Sequence, residues 1–538
     1  MTDRRSVVTG MAFSLVMPAL RMPIGHAAAP PAAAPRGLQL GASRPFSFED
    51  LIREMQSRAG RPYARETGLP QDVLDLIDYE QHGKIKFNTD SALFRDGPGQ
   101  FPVTFFQLGK YFRTPVRMYV LGAPGNPASA REILYDPDYF SMPPDSPARR
   151  LPRDAGFAGF RIQESRLSDK LDWRRNDWVA FLGASYFRAI GDLHQYGLSA
   201  RAIAVNVAVP GRQEEFPDFT RFYFEPSAEG SNQVTVYAAL EGPSVTGAFK
   251  LRMQRAQAVM MEVEAHLFLR SDVSQLGVAP MTSMFWFSET EKPQAIDWRP
   301  EVHDSDGLAL ATGTGEYIWR PLSAARRPHT STFTDKSPHG FGLLQRDRAF
   351  DHYLDGVRYD HRPSLWAEPL DDWHGGSVQL IELPTDDEVQ DNIVAMWVPR
   401  EPAKAGSSVQ ARYRLYWSSA EPHQTSLGRC VATRLGRGGE PGHVRPPGVH
   451  KFVVEFLGGP LASLPSGSKP QPILWASSGT FSDVRSEAVP DDVPGHWRAQ
   501  FDFSPAGSSA ADLRLFLKNG SQTLTETWLY PYRPADSA

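Results

Sequence analysis

The feature that most constrains the fold is an alternation of apolar and polar residues with a period of two, which recurs from about residue 100 onward. It is clear in VRMYVLG (116–122), QVTVYAALEG (233–242), AVMMEVEAHLFLR (258–270) and GSVQLIELP (376–384). Successive side chains of a strand point to opposite faces of a sheet, so this pattern indicates strands. The strands do not alternate regularly with helices and no internal repeat is seen, which favours antiparallel sheets.

The chain is also too long for one core, since 538 residues normally divide into two or three domains. A stretch rich in Pro, Ala and Gly at 400–409 predicts a linker. We therefore expect an all-β protein with a large N-terminal antiparallel β-sandwich at 44–399, which would carry the active site, and a smaller C-terminal immunoglobulin-like β-sandwich at 410–538. A hairpin turn at Asn519-Gly520 supports the second sandwich.

Two helices are expected before the strands begin. Ser47 has the position of an N-cap, and the residues after it, FEDLIREM, carry an apolar stripe. A second helix is predicted through QDVLDLIDYEQ (71–81), after Pro70.

The first residues have the organisation of an export signal. Arg4-Arg5 precede an apolar run that ends near Leu20, and an Ala-rich region follows. This predicts a twin-arginine signal peptide at 1–27, with a flexible Ala/Pro segment at 28–43. An ordinary secretory signal is the alternative. The apolar run is too short and interrupted to span a bilayer, and no membrane span is expected elsewhere.

Composition excludes several classes of partner and cofactor. The net charge of −5 comes without a basic patch, which argues against nucleic acid as a partner. Cys430 is the single cysteine, so no disulfide within the chain and no cysteine-based zinc site is expected. No cofactor is predicted.

The segment VHDSDGL (302–308) resembles a metal-binding loop, but its spacing does not fit one. Counted from Asp304, an EF-hand needs glycine at position 6 and glutamate at position 12, where this chain has Ala309 and Gly315. The chain also lacks a His-Glu-x-x-His motif, a Gly-x-Ser-x-Gly elbow and a Walker loop. A metal bound through distant ligands is a minority interpretation, and no metal ligand is predicted.

Carboxylates close to aromatic residues are the remaining chemical signal, and they suit cleavage of a glycosidic bond, which needs one acid and one base. The candidate carboxylates are Asp304, Asp306, Glu382, Asp386, Asp387, Glu388 and Asp391. The candidate sugar platforms are Trp286, Trp319, Tyr359, Trp366, Trp373 and Trp397. For each one, a solvated loop acid or a core aromatic is the simpler interpretation.

Ten longer segments resemble the family of osmoregulated periplasmic glucan biosynthesis proteins. They are GFAGFRI (156–162), FLGASYFRAIGDLHQYGLSARAIAV (181–205), EEFPDFTRFYFE (214–225), QLGVAPMTSMFWF (275–287), VHDSDGLAL (302–310), GEYIWRPL (315–322), GFGLLQRDRAFDHY (340–353), RPSLWAEP (362–369), DNIVAMW (391–397) and RLYWS (414–418). The resemblance extends from about Phe46 to Tyr532, and the twin-arginine start is similar to that of the D-type member.

The resemblance implies a periplasmic protein that acts on the β-1,2-linked glucose backbone of these glucans. The expected activity is that of an anomer-inverting endo-β-1,2-glucanase or of a closely related cyclising transglycosylase. The family's general acid falls on Asp391 and its general base, acting through a relay of hydroxyls, on Asp304. Its substrate contacts fall on Tyr359, Arg362 and Glu388.

Three further residues complete the expected site. Trp366 is a substrate-binding candidate, while His303 and Asp306 are expected to orient Asp304. Glu388 is also expected to supply the carboxylate that holds the proton of the acid.

One segment departs from the family, because the C-terminal loop at 435–452 is short and has no tryptophan. In the family this loop covers the site of a neighbouring subunit, so water and a sugar hydroxyl both stay open as the acceptor here. The expected partners are the β-1,2-glucan itself, a second copy of the chain and a membrane glucan synthase. The alternative function is a non-catalytic glucan-binding scaffold that assists such a synthase.

Overall fold

The structure is a computed structural model that describes residues 37–64, 68–122, 128–422, 425–465 and 467–534. The predicted signal peptide and the first part of the predicted flexible segment lie outside these residues. A strand, Leu40–Pro45, begins inside the segment predicted to be flexible, because its backbone pairs with Ser129–Ile133.

Strands make up most of the regular secondary structure of the described chain, which confirms the all-β class. The strands up to Ser283 are β1 (Leu40–Pro45), β2 (Lys86–Phe87), β3 (Val103–Phe106), β4 (Arg117–Leu121), β5 (Ser129–Ile133), β6 (Phe140–Ser141), β7 (Gly159–Gln163), β8 (Asp177–Leu182), β9 (Tyr186–Ala189), β10 (Ser199–Arg201), β11 (Ala204–Val205), β12 (Asp218–Glu225), β13 (Gln233–Glu241), β14 (Val245–Arg255), β15 (Val259–Leu269) and β16 (Leu276–Ser283).

The later strands are β17 (Phe285–Phe287), β18 (Val302–His303), β19 (Gly307–Ala311), β20 (Tyr317–Pro321), β21 (His329–Asp335), β22 (Gly340–Leu344), β23 (Ser364–Pro369), β24 (Gly376–Glu382), β25 (Ile393–Pro399), β26 (Ser408–Ser418), β27 (Arg429–Arg437), β28 (His450–Leu457), β29 (Gln471–Ala476), β30 (Thr480–Ala488), β31 (His496–Ser504), β32 (Ala511–Asn519), β33 (Gln522–Thr523) and β34 (Thr527–Tyr532). Among the described strands, most pairings are antiparallel, and β4 with β12 and β20 with β34 are parallel.

Helix α1 (Phe48–Ala59) is confirmed, and the Ser47 hydroxyl accepts from the amide of Asp50 at 3.0 Å. Its buried stripe packs in a core with residues of β13 and β14. The second predicted helix is divided into α2 (Gln71–Leu76) and α3 (Tyr79–Gly83). The break occurs because the Asp78 side chain caps a new helix, accepting from the amide of Gln81 at 2.9 Å.

Contacts within the chain divide it into two compact units. The first contains the described residues up to Pro280, Pro369–Trp373 and Met396–Trp417. One of its sheets runs in the order β1-β5-β4-β12-β13-β14-β15-β26, and another contains β10-β9-β8-β7-β3. Aromatic side chains join the two layers, for example Phe160 of β7 with Phe222 of β12, whose ring centroids are 4.8 Å apart. This is sandwich packing.

The second unit contains Met281–Glu368, His374–Ala395 and the described residues from Ser418. Its sheets include β23-β22-β19-β20-β34-β32-β29 and β27-β28-β31-β30. The C-terminal strands again form two layers, since the Phe452 ring of β28 packs 5.9 Å from the Trp528 ring of β34, and the Trp528 indole donates to the Thr433 hydroxyl at 2.9 Å. The sequence boundaries at 400 and 410 stay predictions.

In the described residues, no helix is long and apolar enough to cross a bilayer.

Strand β22 leads into the candidate site, and it packs tightly beneath Trp366. A Cβ on Gly340 would lie 2.6 Å from the indole, whereas a Cβ on Gly436 of β27 would meet nothing within 4 Å. We therefore expect Gly340→Ala to lower the free energy of unfolding by about 1–3 kcal/mol. Chemical denaturation measures this against Gly436→Ala, and equal stability of the two variants would contradict the packing.

Candidate active site

The candidate catalytic residue Asp304 and the residue after Asp391 are both bonded to the same short segment, Met284-Phe285. The backbone amide of Asp304 donates to the carbonyl of Met284 at 2.8 Å. On the neighbouring residue, the Phe285 amide donates to Asn392 Oδ1 at 2.8 Å, and Asn392 Nδ2 donates back to the Phe285 carbonyl at 2.9 Å. Asn392 directly follows Asp391. These bonds bring Asp391 towards Asp304, although the two are far apart in the sequence.

Asp304 lies at the end of β18 and is almost entirely removed from solvent, with 2% of its surface exposed. Burial raises the pKa of its carboxyl, and the negative charge of Asp391 raises it further. The guanidinium of Arg362 acts in the opposite direction, because its Nη1 donates directly to Asp304 Oδ1. The result is a buried carboxylate held by one cation and electrostatically coupled to a second carboxylate.

A continuous chain of contacts leads from Asp304 to Glu388. The guanidinium of Arg362 lies over the Tyr359 ring, 4.3 Å from its centroid. The Tyr359 hydroxyl then donates to Glu388 Oε2 at 2.6 Å. Burial raises the pKa of Tyr359, so the phenol stays protonated as a donor. Four of the predicted site residues are therefore brought into direct contact.

Arg299, which the sequence analysis did not identify, holds Glu388 from the other side. Its Nη1 donates to Glu388 Oε2 at 2.5 Å and to Asp355 Oδ2 at 2.8 Å, and its Nε donates to Asp297 Oδ1 at 2.9 Å. The Glu388 carboxylate thus accepts from Arg299 and Tyr359. Arg299 stands close before VHDSDGL, but a single loop arginine gives no signal in the sequence pattern.

His303, which directly precedes Asp304, lies in a buried polar network. Its Nε2 contacts Glu301 Oε2 at 2.9 Å and its Nδ1 contacts Gln345 Oε1 at 2.9 Å. The amide of Gln345 is oriented by its own donation to the Tyr353 hydroxyl at 2.8 Å. Because both ring nitrogens face acceptors, the imidazole is held as a cation. Burial is the largest single influence and lowers the pKa of His303, but the bond to Glu301 and the negative charges of Glu301, Asp306 and Asp347 together outweigh it and raise the pKa to about 9.

Asp306 fixes the loop that follows β22. Its Oδ2 accepts from the amides of Arg346 at 3.0 Å and of Asp347 at 2.8 Å. Burial raises the pKa of Asp306 to about 6. His303 and Asp306 therefore fix the chain on either side of Asp304, and their expected part in orienting its carboxylate stays a prediction.

The side chain of Arg346 links this loop to the C-terminal segment through ion pairs and a hydrogen bond. It bonds Glu526 through Nη1 at 2.5 Å and Glu421 through Nη2 at 2.6 Å, and it also donates to the carbonyl of Cys430 at 3.0 Å. Its guanidinium stacks 3.8 Å from the centroid of the Trp319 ring. One buried cation is thus shared by two buried carboxylates.

A trio of residues comes close enough together to hold a metal ion, since ligand atoms of Glu301, Asp347 and His352 lie within 4.8 Å of one another. Each of the three already forms an ion pair or hydrogen bond with another residue. Glu301 pairs with His303, and His352 pairs with Asp347 at 2.5 Å. Burial is the largest single influence and lowers the pKa of His352, but the bond to Asp347 and the nearby carboxylate charges together raise it, which favours a cationic imidazole over a metal ligand. The trio is better explained as an ion-pair network.

Trp366 lies on β23, buried against Gly340 and Gly342 of β22. Its part in substrate binding stays a prediction, because this placement also suits a core residue. Gln345, Arg346 and Asn392 are residues that the sequence analysis did not single out. All three stand inside the segments 340–353 and 391–397 that carry the family resemblance, but their partners are distant in the sequence.

The pH dependence of stability tests the His303 network. The folded pKa of about 9 lies above the usual value of 6.5, so the stabilisation is complete below pH 6.5 and is lost as the pH rises towards 9. We expect the free energy of unfolding to fall by about 3 kcal/mol over that range, and His303→Gln to remove most of the fall. Chemical denaturation at a series of pH values measures it. His443→Gln, at an exposed position, is the control and should keep the slope.

The Arg346 cluster predicts a large loss of stability on substitution. In Arg346→Met, two glutamates with side chains 6% and 2% exposed would keep unbalanced charges, which costs about 3–5 kcal/mol. The matched variant Arg412→Met removes an arginine whose side chain is 49% exposed and whose ion pairs are 3.5 and 3.9 Å long. It should cost less than about 0.5 kcal/mol in denaturation experiments. Equal losses of stability in the two variants would show that the buried cluster does not stabilise the fold.

Comparisons with known proteins show similarity along nearly the whole chain. The family "Periplasmic glucan biosynthesis protein, MdoG" matches residues 46–532. "Glucans biosynthesis protein D 2" of Ralstonia nicotianae (strain ATCC BAA-1114 / GMI1000) is 58% identical over 540 residues, with 100% of this chain and 99% of that protein covered.

"Glucans biosynthesis protein D" of Stenotrophomonas maltophilia (strain K279a) is 42% identical over 526 residues, covering 97% of this chain and 96% of that protein. The protein of the same name from Xanthomonas campestris pv. campestris (strain ATCC 33913 / DSM 3586 / NCPPB 528 / LMG 568 / P 25) is 42% identical, covering 95% of each chain. Identity at this level over nearly the whole length shows that the chain belongs to the MdoG family of periplasmic glucan biosynthesis proteins.

Proposed function

We propose that this protein works in the periplasm on the β-1,2-linked glucose backbone of osmoregulated glucans, as an anomer-inverting glycoside hydrolase or a closely related cyclising transglycosylase. The observation that carries the proposal is the buried Asp304 carboxylate. It is paired with Arg362 and lies within electrostatic reach of a second carboxylate, Asp391. The names of the relatives support a glucan as the substrate.

In the proposed reaction Asp391 is the general acid. It donates its proton to the glycosidic oxygen while the bond from that oxygen to the anomeric carbon breaks. Asp304 is the general base. It takes up the proton of the attacking hydroxyl through intervening hydroxyl groups as the new bond forms on the opposite face of the sugar. Burial raises the pKa of Asp304, which suits a base that works near neutral pH.

The neighbouring groups would bind the sugar on either side of the broken bond. Glu388 keeps an exposed edge, with 37% of its side chain in solvent, although Arg299 and Tyr359 hold its carboxylate. A carboxylate fixed in this way is a good acceptor for sugar hydroxyls. Arg362 and Tyr359 lie between Glu388 and Asp304, so a glucose unit bound to Glu388 would be presented to the base.

Product analysis decides between hydrolysis and transfer. Linear β-1,2-glucan is incubated with the protein and the products are weighed by mass spectrometry. Hydrolysis consumes one water for each bond cleaved and gives shorter linear chains, while cyclisation gives rings that are lighter by one water than a linear chain of the same length. Glucan that stays unchanged while the protein is folded would overturn both versions.

The acid assignment gives a direct prediction. Asp391→Asn removes the proton that the leaving oxygen needs, so turnover of β-1,2-glucan should fall by a factor of about 10²–10⁴. Asp386→Asn, an exposed carboxylate on the same loop, should turn over glucan at the rate of the unchanged protein. Reducing-end or mass-spectrometric assays measure both.

An Asp391→Asn variant with full activity would refute the acid assignment. If the variant also supported normal glucan synthesis in cells, the non-catalytic scaffold would be the better explanation.

A further inference from the structure

Exposed apolar side chains cluster on the loops that carry the candidate active site. In the described part of Met281–Ala395, the large apolar residues with the most exposed surface are Ile296, Trp298, Phe350, Leu354 and Val389. All five lie in the segments 288–301, 345–363 and 383–392, which also supply Arg299, Tyr359 and Glu388. Exposed apolar surface beside a polar site is typical of a ligand-binding groove.

Arg299 groups three of these residues in space. Its guanidinium bonds Asp355 Oδ2 at 2.8 Å and Glu388 Oε2 at 2.5 Å. Each member of this trio has an exposed apolar residue as its direct neighbour in the chain: Trp298 beside Arg299, Leu354 beside Asp355, and Val389 beside Glu388. Neighbouring Cα atoms are about 3.8 Å apart, so three residues with exposed apolar side chains each stand next in the chain to a member of one ion-pair cluster.

Of these three side chains, the indole of Trp298 is the best placed to contact a ligand bound at Glu388. Its ring centroid lies 5.8 Å from Cζ of Arg299, while 68% of its surface faces solvent. The path through the guanidinium places the ring within about 10 Å of the Glu388 carboxylate. A short stretch of glucan held at Glu388 would therefore reach the indole.

The chemistry of this rim matches a sugar. A β-linked glucose ring offers C–H groups on its faces and hydroxyls on its edge. The C–H groups are attracted to the electron-rich face of an indole, and the hydroxyls bond to charged groups beside it. Here Trp298 provides the face, and Asp355 and Glu388 provide acceptors. A stable protein partner would need about 800 Å² on this side, far more than three side chains offer.

We propose that Trp298, with Leu354 and Val389, forms a glucosyl-binding platform at the rim of the active site, next to Glu388. It takes a pyranose ring of the β-1,2-linked chain beyond the units at the site of cleavage. This inference rests on the proposed function for its class of substrate, and it adds a binding residue that lies outside the catalytic pair.

Binding of linear β-1,2-glucan to the full chain tests the platform. We expect Trp298→Ala to raise Kd, measured by titration calorimetry, and KM about tenfold, which corresponds to about 1.4 kcal/mol. Trp298→Phe should retain most of the affinity because a flat ring remains. Thermal unfolding of each variant checks that the fold is intact. The unfolding temperature should change little, because an exposed side chain contributes little to stability.

Trp475 provides the matched control, because it is another exposed tryptophan, with 56% of its surface in solvent, on β29. Trp475→Ala should bind and cleave glucan like the unchanged protein. An unchanged Kd in Trp298→Ala would overturn the platform while leaving the proposed hydrolysis or transfer intact. So would a shift in oligomeric state without a loss of glucan affinity. If the unchanged protein neither binds nor cleaves the glucan, the proposed function falls and the platform with it.

Discussion

The ion pair between Asp304 and Arg362 is the interaction on which the candidate site depends. Taking a carboxylate out of water is costly, and the cost is tolerated only if a cation and good hydrogen bonds replace the lost solvent. Arg362 supplies the charge, and its other face rests on the Tyr359 ring. Tyr359 in turn bonds Glu388. A substitution of Arg362, Tyr359 or Glu388 would therefore alter the surroundings of the Asp304 carboxylate.

Two further buried networks keep that pair in place. On one side of Asp304, His303 is fixed between Glu301 and Gln345. On the other side, Asp306 binds the backbone of the loop that contains Arg346. Few of these groups face solvent, so small errors in their positions cannot be relaxed by water. A site built in this way is rigid, which favours a precise arrangement of acid and base.

Much of the fold could be predicted from the sequence, because burial on one face of a strand leaves a direct mark on the residues. In β26, the apolar residues Ala411, Tyr413, Leu415 and Trp417 alternate with polar or less buried ones, and all four are buried. The prediction of a single helix after Pro70 was only partly right, since the Asp78 cap divides the segment into two helices. Local caps compete with helix continuation on energies too small to judge from apolar pattern alone.

The candidate site was much harder to predict from local patterns. His303, Asp304 and Asp306 stood out as polar residues, but their joining to Asp391 depends on the Met284-Phe285 backbone and the Asn392 side chain. No periodicity encodes such a contact. The family resemblance supplied Asp391, Tyr359 and Arg362, whereas Arg299 was missed because its three carboxylate partners come from separate loops.

The cluster around Arg346 also bears on how the chain can be divided. Its two glutamates, Glu421 and Glu526, come from the C-terminal segment, while the loop it belongs to supports Asp304 through Asp306. A gene fragment that stopped at the predicted linker would leave this arginine in the protein interior with neither counter-ion. The candidate site and the C-terminal strands are therefore expected to fold as one unit.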